Sequence, residues 1–215
     1  MKKYILFDLD GTLSDPKIGI TKSVQYALHK MNIEEPDLDK LECFIGPPLQ
    51  DSFKEYYQMD EIATKQAIAF YRERFKEKGM FENVLYPGIP ELLESLKKQG
   101  CTLVVATSKL TVFSENILSY FGIDHYFDLV VGSNLDDTRT KKTEIIQHIL
   151  DTYQKEKSQF IMIGDRKYDI IGAQNTGIES IGVTYGYGSL AEVQTANPTY
   201  IATTVEQVGE LVKKA

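Results

Sequence analysis

The sequence predicts an α/β protein: a parallel sheet core with an inserted α-helical segment. Three observations carry that expectation. Tyr4-Ile5-Leu6-Phe7 is a continuous apolar run, the pattern of a strand buried on both faces of a parallel sheet. From Tyr86 onward, further apolar runs alternate with helical stretches, as in a chain of strand-helix-strand units. Between these two parts the alternation stops, and apolar residues recur at the spacing of an amphipathic helix.

Taken in order, the first strand ends at Asp8. Ile20, Val24, Ala27, Leu28 and Met31 then mark one helical face, and Ala63, Ala67, Phe70, Tyr71 and Phe75 mark another. The turn dipeptide Pro87-Gly88 signals the return to the core. Strands are expected at Leu103 to Ala106, Leu129 to Val131, Phe160 to Ile163 and Ser180 to Val183, with helices such as Pro90 to Lys98 and Lys142 to Tyr153 between them. Right-handed crossovers follow from strand twist. The expected division is a core of residues 1–15 and 85–215 around a helical cap of residues 16–84.

Composition narrows the function classes. At 215 residues and 42% hydrophobic, the chain has the material for one large core or for a core plus a small insert. A net charge of −7 and no Lys/Arg-rich run argue against a nucleic-acid partner. The apolar run after Met1-Lys2-Lys3 stops too early for a signal peptide, and nothing approaches the ~20 apolar residues of a membrane span. Cys43 and Cys101 are far apart, so a reducing compartment is expected. The expectation is therefore a cytoplasmic protein, a monomer or weak dimer, with neither membrane nor nucleic acid as partner.

Asp8 and Asp10 leave the carboxyl end of the first strand and run into Gly11-Thr12. That edge is where open α/β sheets bind ligands. Alternating side chains put both carboxylates on one side, where they repel unless a cation or a shared proton separates them. A strand-end turn would account for Asp10-Gly11 but not for Asp8. A second strand ends in Thr107-Ser108-Lys109, which reads as a phosphate cradle or as ordinary N-capping of the next helix. A third ends in Gly164-Asp165, with Asp169 four residues later, and such oxygen donors suit Mg²⁺.

In this order the three pieces resemble the motifs of the haloacid dehalogenase superfamily: DxDGT at Asp8 to Thr12, a strand ending in Thr at Thr107, and GDxxxD from Gly164 to Asp169. The resemblance spans essentially the whole chain and points to the branch of phosphoglycolate phosphatases and 5′-nucleotidase-like enzymes. It implies a Rossmann-like core, a Mg²⁺-dependent phosphatase for small phosphorylated metabolites, and an aspartyl-phosphate intermediate. Asp8 would be the nucleophile and Asp10 the acid and base. Asp8, the Asp10 carbonyl and Asp165 would hold the metal, with Asp169 orienting its shell. Thr107, Ser108 and a lysine would neutralise the phosphoryl oxygens. Lys142 fits the family pattern better than Lys141, and both stay open.

Asp10 speaks against dehalogenases and phosphonatases, which lack this second aspartate. A sugar-phosphate mutase of the β-phosphoglucomutase type shares both aspartates and is the alternative; a non-catalytic phosphometabolite-binding relative is a more distant one. The cap is expected to lie over the nucleophile and to set substrate choice. Its loop Phe44-Ile45-Gly46-Pro47-Pro48-Leu49 reads either as a specificity loop or as a helix connector, while Arg72 and Arg74 receive no role. Tyr185-Gly186-Tyr187-Gly188 lacks the GxGxxG spacing of a dinucleotide fingerprint. His29, His125 and His148 share no motif and read as packing or surface residues.

Overall fold

A computed structural model describes residues 2–136 and 138–215. The chain divides into two compact units, Met1–Asp15 with Leu85–Ala215, and Pro16–Val84. The first unit opens with strand β1, Tyr4–Phe7, and the short β2, Ser14–Asp15. Ile5, Leu6 and Phe7 are all buried, as a strand covered on both faces requires.

The second unit consists of α1 (Lys17–Lys30), a 3₁₀ segment at Asp39–Phe44, α2 (Leu49–Tyr57) and α3 (Glu61–Glu77). Asp60 caps α3 by accepting from the Ala63 amide at 2.8 Å. Of the anticipated apolar positions, Ile20, Val24, Ala27, Leu28, Ala67, Tyr71 and Phe75 are buried, while Met31, Ala63 and Phe70 are only half-buried. Phe44 packs its ring 4.9 Å from that of Phe53, so the start of the Phe44–Leu49 loop belongs to this unit's own core. Arg74 grips Glu82 with two hydrogen bonds of 2.8 and 3.0 Å, a structural pairing inside the unit.

The chain then passes through β3 (Val84–Leu85) and resumes the sheet with α4 (Ile89–Lys98), β4 (Thr102–Leu110), α5 (Thr111–Tyr120), β5 (Leu129–Ser133), α6 (Lys142–Tyr153), β6 (Phe160–Gly164), α7 (Lys167–Thr176), β7 (Glu179–Val183), α8 (Leu190–Thr195), β8 (Tyr200–Ala202) and α9 (Val205–Lys214). Gly88, at φ +86°, makes the left-handed turn into α4, whose apolar face Ile89, Leu92, Leu93 and Leu96 is buried.

The large sheet has the order β5-β4-β1-β6-β7-β8, with every pair parallel. This is the Rossmann-like α/β arrangement that the sequence implies. Strands are added outward on one side of β1 up to β5, and the chain then returns to place β6 on the other side. The order reverses between β1 and β6, which makes their carboxyl ends the ligand crevice of this topology. Phe7 is in register with Val105 on one side and with Ile163 on the other, so Asp8 stands between the ends of β4 and β6.

Beneath that edge lies a core that includes Leu6, Val104, Ala106, Ile145, Ile146, Ile149, Phe160 and Met162. Such packing fixes the strand ends to the precision that a site needs. Strand β8 lies outside the sequence expectation, because three residues at a sheet edge carry too little periodicity to read.

Candidate active site

The carboxylates of Asp8, Asp165 and Asp169 gather at the switch point, each offering an oxygen within 4.8 Å of the others, and all three are buried. Asp8 follows β1 directly, Asp165 follows β6, and Asp169 comes back from the first turn of α7. Its return is local. The Asp169 Oδ2 accepts from the Arg166 amide at 3.1 Å, tying the first turn of the helix back to its N-cap residue. Gly164 leaves the space that this needs, because a Cβ there would overlap the Asp169 carboxyl group.

Lys142, the first residue of α6, reaches into this cluster. Its Nζ lies 2.9 Å from Asp8 Oδ1 and 2.7 Å from Asp169 Oδ1, and it donates to the Ala106 carbonyl at 2.8 Å. The two carboxylates flank the ammonium as ion pairs, while the Ala106 carbonyl accepts its hydrogen bond. Burial alone would lower the Lys142 ammonium, but the Asp169 and Asp8 charges outweigh it and push its pKa up to about 12. Lys141, by contrast, is an exposed residue at the N-cap.

The end of β4 departs from the expected strand-then-cap pattern. The strand runs on to Leu110, and α5 begins at Thr111 with no side-chain cap, so neither Thr107 nor Ser108 caps it. In the pairing with β5, Ala106 matches Val131 and Leu110 matches Ser133, so Thr107, Ser108 and Lys109 stand opposite the single residue Gly132. This is a bulge of the kind found beside active sites. Gly132 admits it, since a Cβ there would overlap the Lys109 carbonyl oxygen.

The bulge supplies a residue to which the sequence reading gave no role. Lys109 Nζ lies 2.6 Å from Asp10 Oδ2, and both side chains are almost fully buried. Thr107, itself buried, accepts from the Lys109 amide at 3.3 Å through Oγ1, and Ser108 stands half-buried between them. Burial raises the Asp10 carboxyl above its ordinary range, with Lys109 pulling the other way. The signal in the sequence was a lysine two residues beyond a strand-end threonine. Its meaning depends on the bulge, which no side-chain periodicity announces.

Asp165 is fully buried from water. Burial, then the charges of Asp169 and Asp8, holds its carboxyl well above the usual range. Its Oδ2 accepts from the Tyr187 amide at 2.7 Å, while the buried Oδ1 has no hydrogen-bond partner. Four carboxylates, Asp8, Asp10, Asp165 and Asp169, face two lysines, a formal excess of two negative charges. An all-oxygen donor set with an orphaned oxygen and that excess fits one hard divalent cation such as Mg²⁺. The sequence expectation placed Asp169 behind the metal shell. Its carboxylate lies within the cluster itself, with Oδ2 accepting from the Arg166 amide and Oδ1 paired by charge with Lys142.

The model of the haloacid dehalogenase-like hydrolase family matches residues 5–183, a span that contains every residue of this cluster. The chain belongs to this family. Among relatives of the haloacid dehalogenase-like hydrolase, a 5′-nucleotidase of Pseudomonas aeruginosa is 50% identical, the match covering 91% of this chain and 89% of that one. The tyrosine-protein kinase PtkA of Mycobacterium tuberculosis is 33% identical over 97% of this chain and 72% of its own length. In crystal form, a predicted phosphatase from Clostridium acetobutylicum superposes with a TM-score of 0.98 at 49% identity, over 100% of both chains. The haloacid dehalogenase-like hydrolase described here is a phosphatase acting on phosphoric monoesters. Among its described residues, no helix is long and apolar enough to cross a membrane.

Proposed function

We propose that the chain hydrolyses small phosphate monoesters through an aspartyl phosphate on Asp8, with nucleoside 5′-monophosphates as the first substrates to test. The observation that carries this reading is Asp8 itself: a buried carboxylate at the β1/β6 switch point, held by Lys142 at 2.9 Å and clustered with Asp165 and Asp169. The 5′-nucleotidase relative, at 50% identity, supports the order in which substrates are tried.

In this reading Asp8 uses the carboxylate oxygen not committed to Lys142 to attack phosphorus, and the P–O bond to the leaving alcohol breaks in line. Asp10 gives its proton to the departing oxygen, then takes one from the water that cleaves the acyl phosphate, returning Asp8 and inorganic phosphate. Such proton transfer is worth about 10²- to 10⁴-fold in rate. Lys109, at 2.6 Å, fixes where the Asp10 carboxyl points. Thr107, Ser108 and Lys142 provide donors for the phosphoryl oxygens. Asp8, Asp165 and the Asp10 carbonyl would hold Mg²⁺, with Asp169 bracing them, and the bound cation would neutralise charge between nucleophile and phosphate.

The test is phosphate release from adenosine, uridine and thymidine 5′-monophosphates with Mg²⁺, together with trapping of a hydroxylamine-labile phosphoenzyme after rapid quench. Asp8→Asn should abolish both while leaving the folded circular-dichroism spectrum intact. Near-wild-type turnover in Asp8→Asn would remove the nucleophile assignment.

A further inference from the structure

The segment Tyr185-Gly186-Tyr187-Gly188 follows β7 and is built against the site from three directions. Tyr187 donates its amide to Asp165 Oδ2 at 2.7 Å and its phenol to Asp15 Oδ1. Tyr185 donates its phenol to the Thr12 carbonyl at 3.1 Å. A Cβ at Gly186 would overlap both the Gly11 carbonyl oxygen and the Asp165 side chain, and one at Gly188 would overlap the Asp165 carbonyl. Gly11, at φ +82°, is likewise pressed against the Asp165 carboxylate.

These contacts join two loops that share no strand. Asp10 bridges to Ser14, and the Gly11 amide donates to the Ser14 carbonyl at 2.8 Å, so residues 10 to 15 form one tight turn that carries Asp10 and ends at Asp15. The phenols of Tyr185 and Tyr187 hold that turn. The Tyr187 amide, on the same residue as one of those phenols, holds Asp165 so that Oδ2 is occupied and Oδ1 is left without a protein partner. A carboxylate that binds a cation needs one oxygen fixed and the other open.

We propose that Tyr187 is a positioning residue for the divalent cation. Its phenol, anchored on Asp15, sets the amide that orients Asp165. The inference rests on the cation reading above and adds the residues that tune it. A phenol that served only to fill space would be replaced by phenylalanine without consequence, which makes the hydroxyl the quantity to test.

Mg²⁺ affinity, measured by calorimetry on the substrate-free protein, should fall about 10- to 100-fold in Tyr187→Phe, the range seen when partners behind metal ligands are removed. Turnover at saturating Mg²⁺ should change far less than the Mg²⁺ concentration needed to reach it. Asp15→Ala should weaken Mg²⁺ to the same degree, and Asp15→Asn, whose amide oxygen still accepts from the phenol, should restore it. The double variant Tyr187→Phe with Asp15→Ala should be no worse than the single ones, since both break one contact. Wild-type Mg²⁺ affinity in Tyr187→Phe, or additive losses in the double variant, would overturn the tether with the cation reading intact. A wild type that binds no Mg²⁺ would overturn the cation reading and the tether with it.

Discussion

The Lys142 ammonium lies between two carboxylates, 2.9 Å from Asp8 Oδ1 and 2.7 Å from Asp169 Oδ1, and it donates a hydrogen bond to the Ala106 carbonyl in β4. One side chain from α6 therefore ties together β1, β4 and α7 at their catalytic edge. Charges buried this deeply are costly to leave unpaired, and breaking one partner of such a pair destabilises by about 3–5 kcal/mol.

Lys142→Ala should accordingly lower stability by about 3 kcal/mol or more in the absence of Mg²⁺ and cut turnover by about 10²- to 10³-fold, the range for losing one preorganised donor. Exposed Lys141→Ala should stay within about 0.5 kcal/mol of wild type. Denaturant unfolding and steady-state kinetics on the two variants check this. Equal losses in both, or the reverse order, would transfer the role to Lys141.

Lys109→Met keeps the length of the side chain and removes the charge that faces Asp10 at 2.6 Å. The Asp10 carboxyl, already raised by burial, should rise further and lose its fixed direction. The effect should depend on the leaving group. Hydrolysis of an alkyl phosphate, whose alkoxide needs a proton, should slow by about 10- to 10²-fold, within the range of general-acid catalysis. Phosphorylation by p-nitrophenyl phosphate, whose leaving group needs none, should slow much less. Equal slowing of both substrates would show that Lys109 does not act through Asp10.

How much of this was legible in the sequence differs from residue to residue. Asp8, Asp10 and Asp165 could be read because they sit at the ends of apolar runs that only a buried strand explains, and strand ends place side chains without knowledge of the loops. Asp169 was read from its spacing four residues after Asp165. The Lys142–Tyr153 helix was legible in full from its periodicity. Lys109 and Tyr187 were not. Lys109 reaches Asp10 through a bulge against Gly132, and a bulge breaks the alternation on which strand reading depends. Tyr187 acts partly through its backbone amide, which carries no sequence signature, and its two flanking glycines are explained only by the closeness of Asp165 and Gly11. Glycines alternating with aromatics just past the strand next to β6 were the available clue.

Stability should respond to Mg²⁺ and pH together. Burial and the neighbouring charges raise Asp165 well above the carboxylate range, and burial raises Asp169 against the pull of Lys142. With both folded-state pKa values above the unfolded value of about 3.9, the cation-free fold binds more protons than the unfolded chain across that window. These groups therefore favour the fold at low pH and contribute less and less as pH rises through their folded pKa values. Mg²⁺ binds the deprotonated forms, so its stabilisation should grow in the same direction, towards about 2.7 kcal/mol at one hundred times its dissociation constant. Calorimetric melting with EDTA and with Mg²⁺, near pH 5 and near pH 8, reads this out. An equal Mg²⁺ increment at both values would mean that the cation does not compete with protons at Asp165 and Asp169.

The last prediction separates hydrolysis from phosphoryl transfer to another acceptor. Asp10 can hand its proton to a leaving alcohol and later activate either water or a second hydroxyl, so the two aspartates alone permit both a phosphatase and a mutase. Nucleoside 5′-monophosphates incubated with enzyme and Mg²⁺ should yield one phosphate per nucleoside, with no lag and no need for a bisphosphate. In parallel, β-glucose 1-phosphate with a trace of glucose 1,6-bisphosphate should give no net glucose 6-phosphate beyond background. Because one relative is named a tyrosine-protein kinase, ATP with a tyrosine-containing peptide completes the set, and no label should appear in the peptide. Rapid isomerisation of the sugar phosphate without phosphate release would make the mutase reading right. Label accumulating on the peptide would make the chain a kinase, and either result would remove water as the acceptor that Asp10 activates.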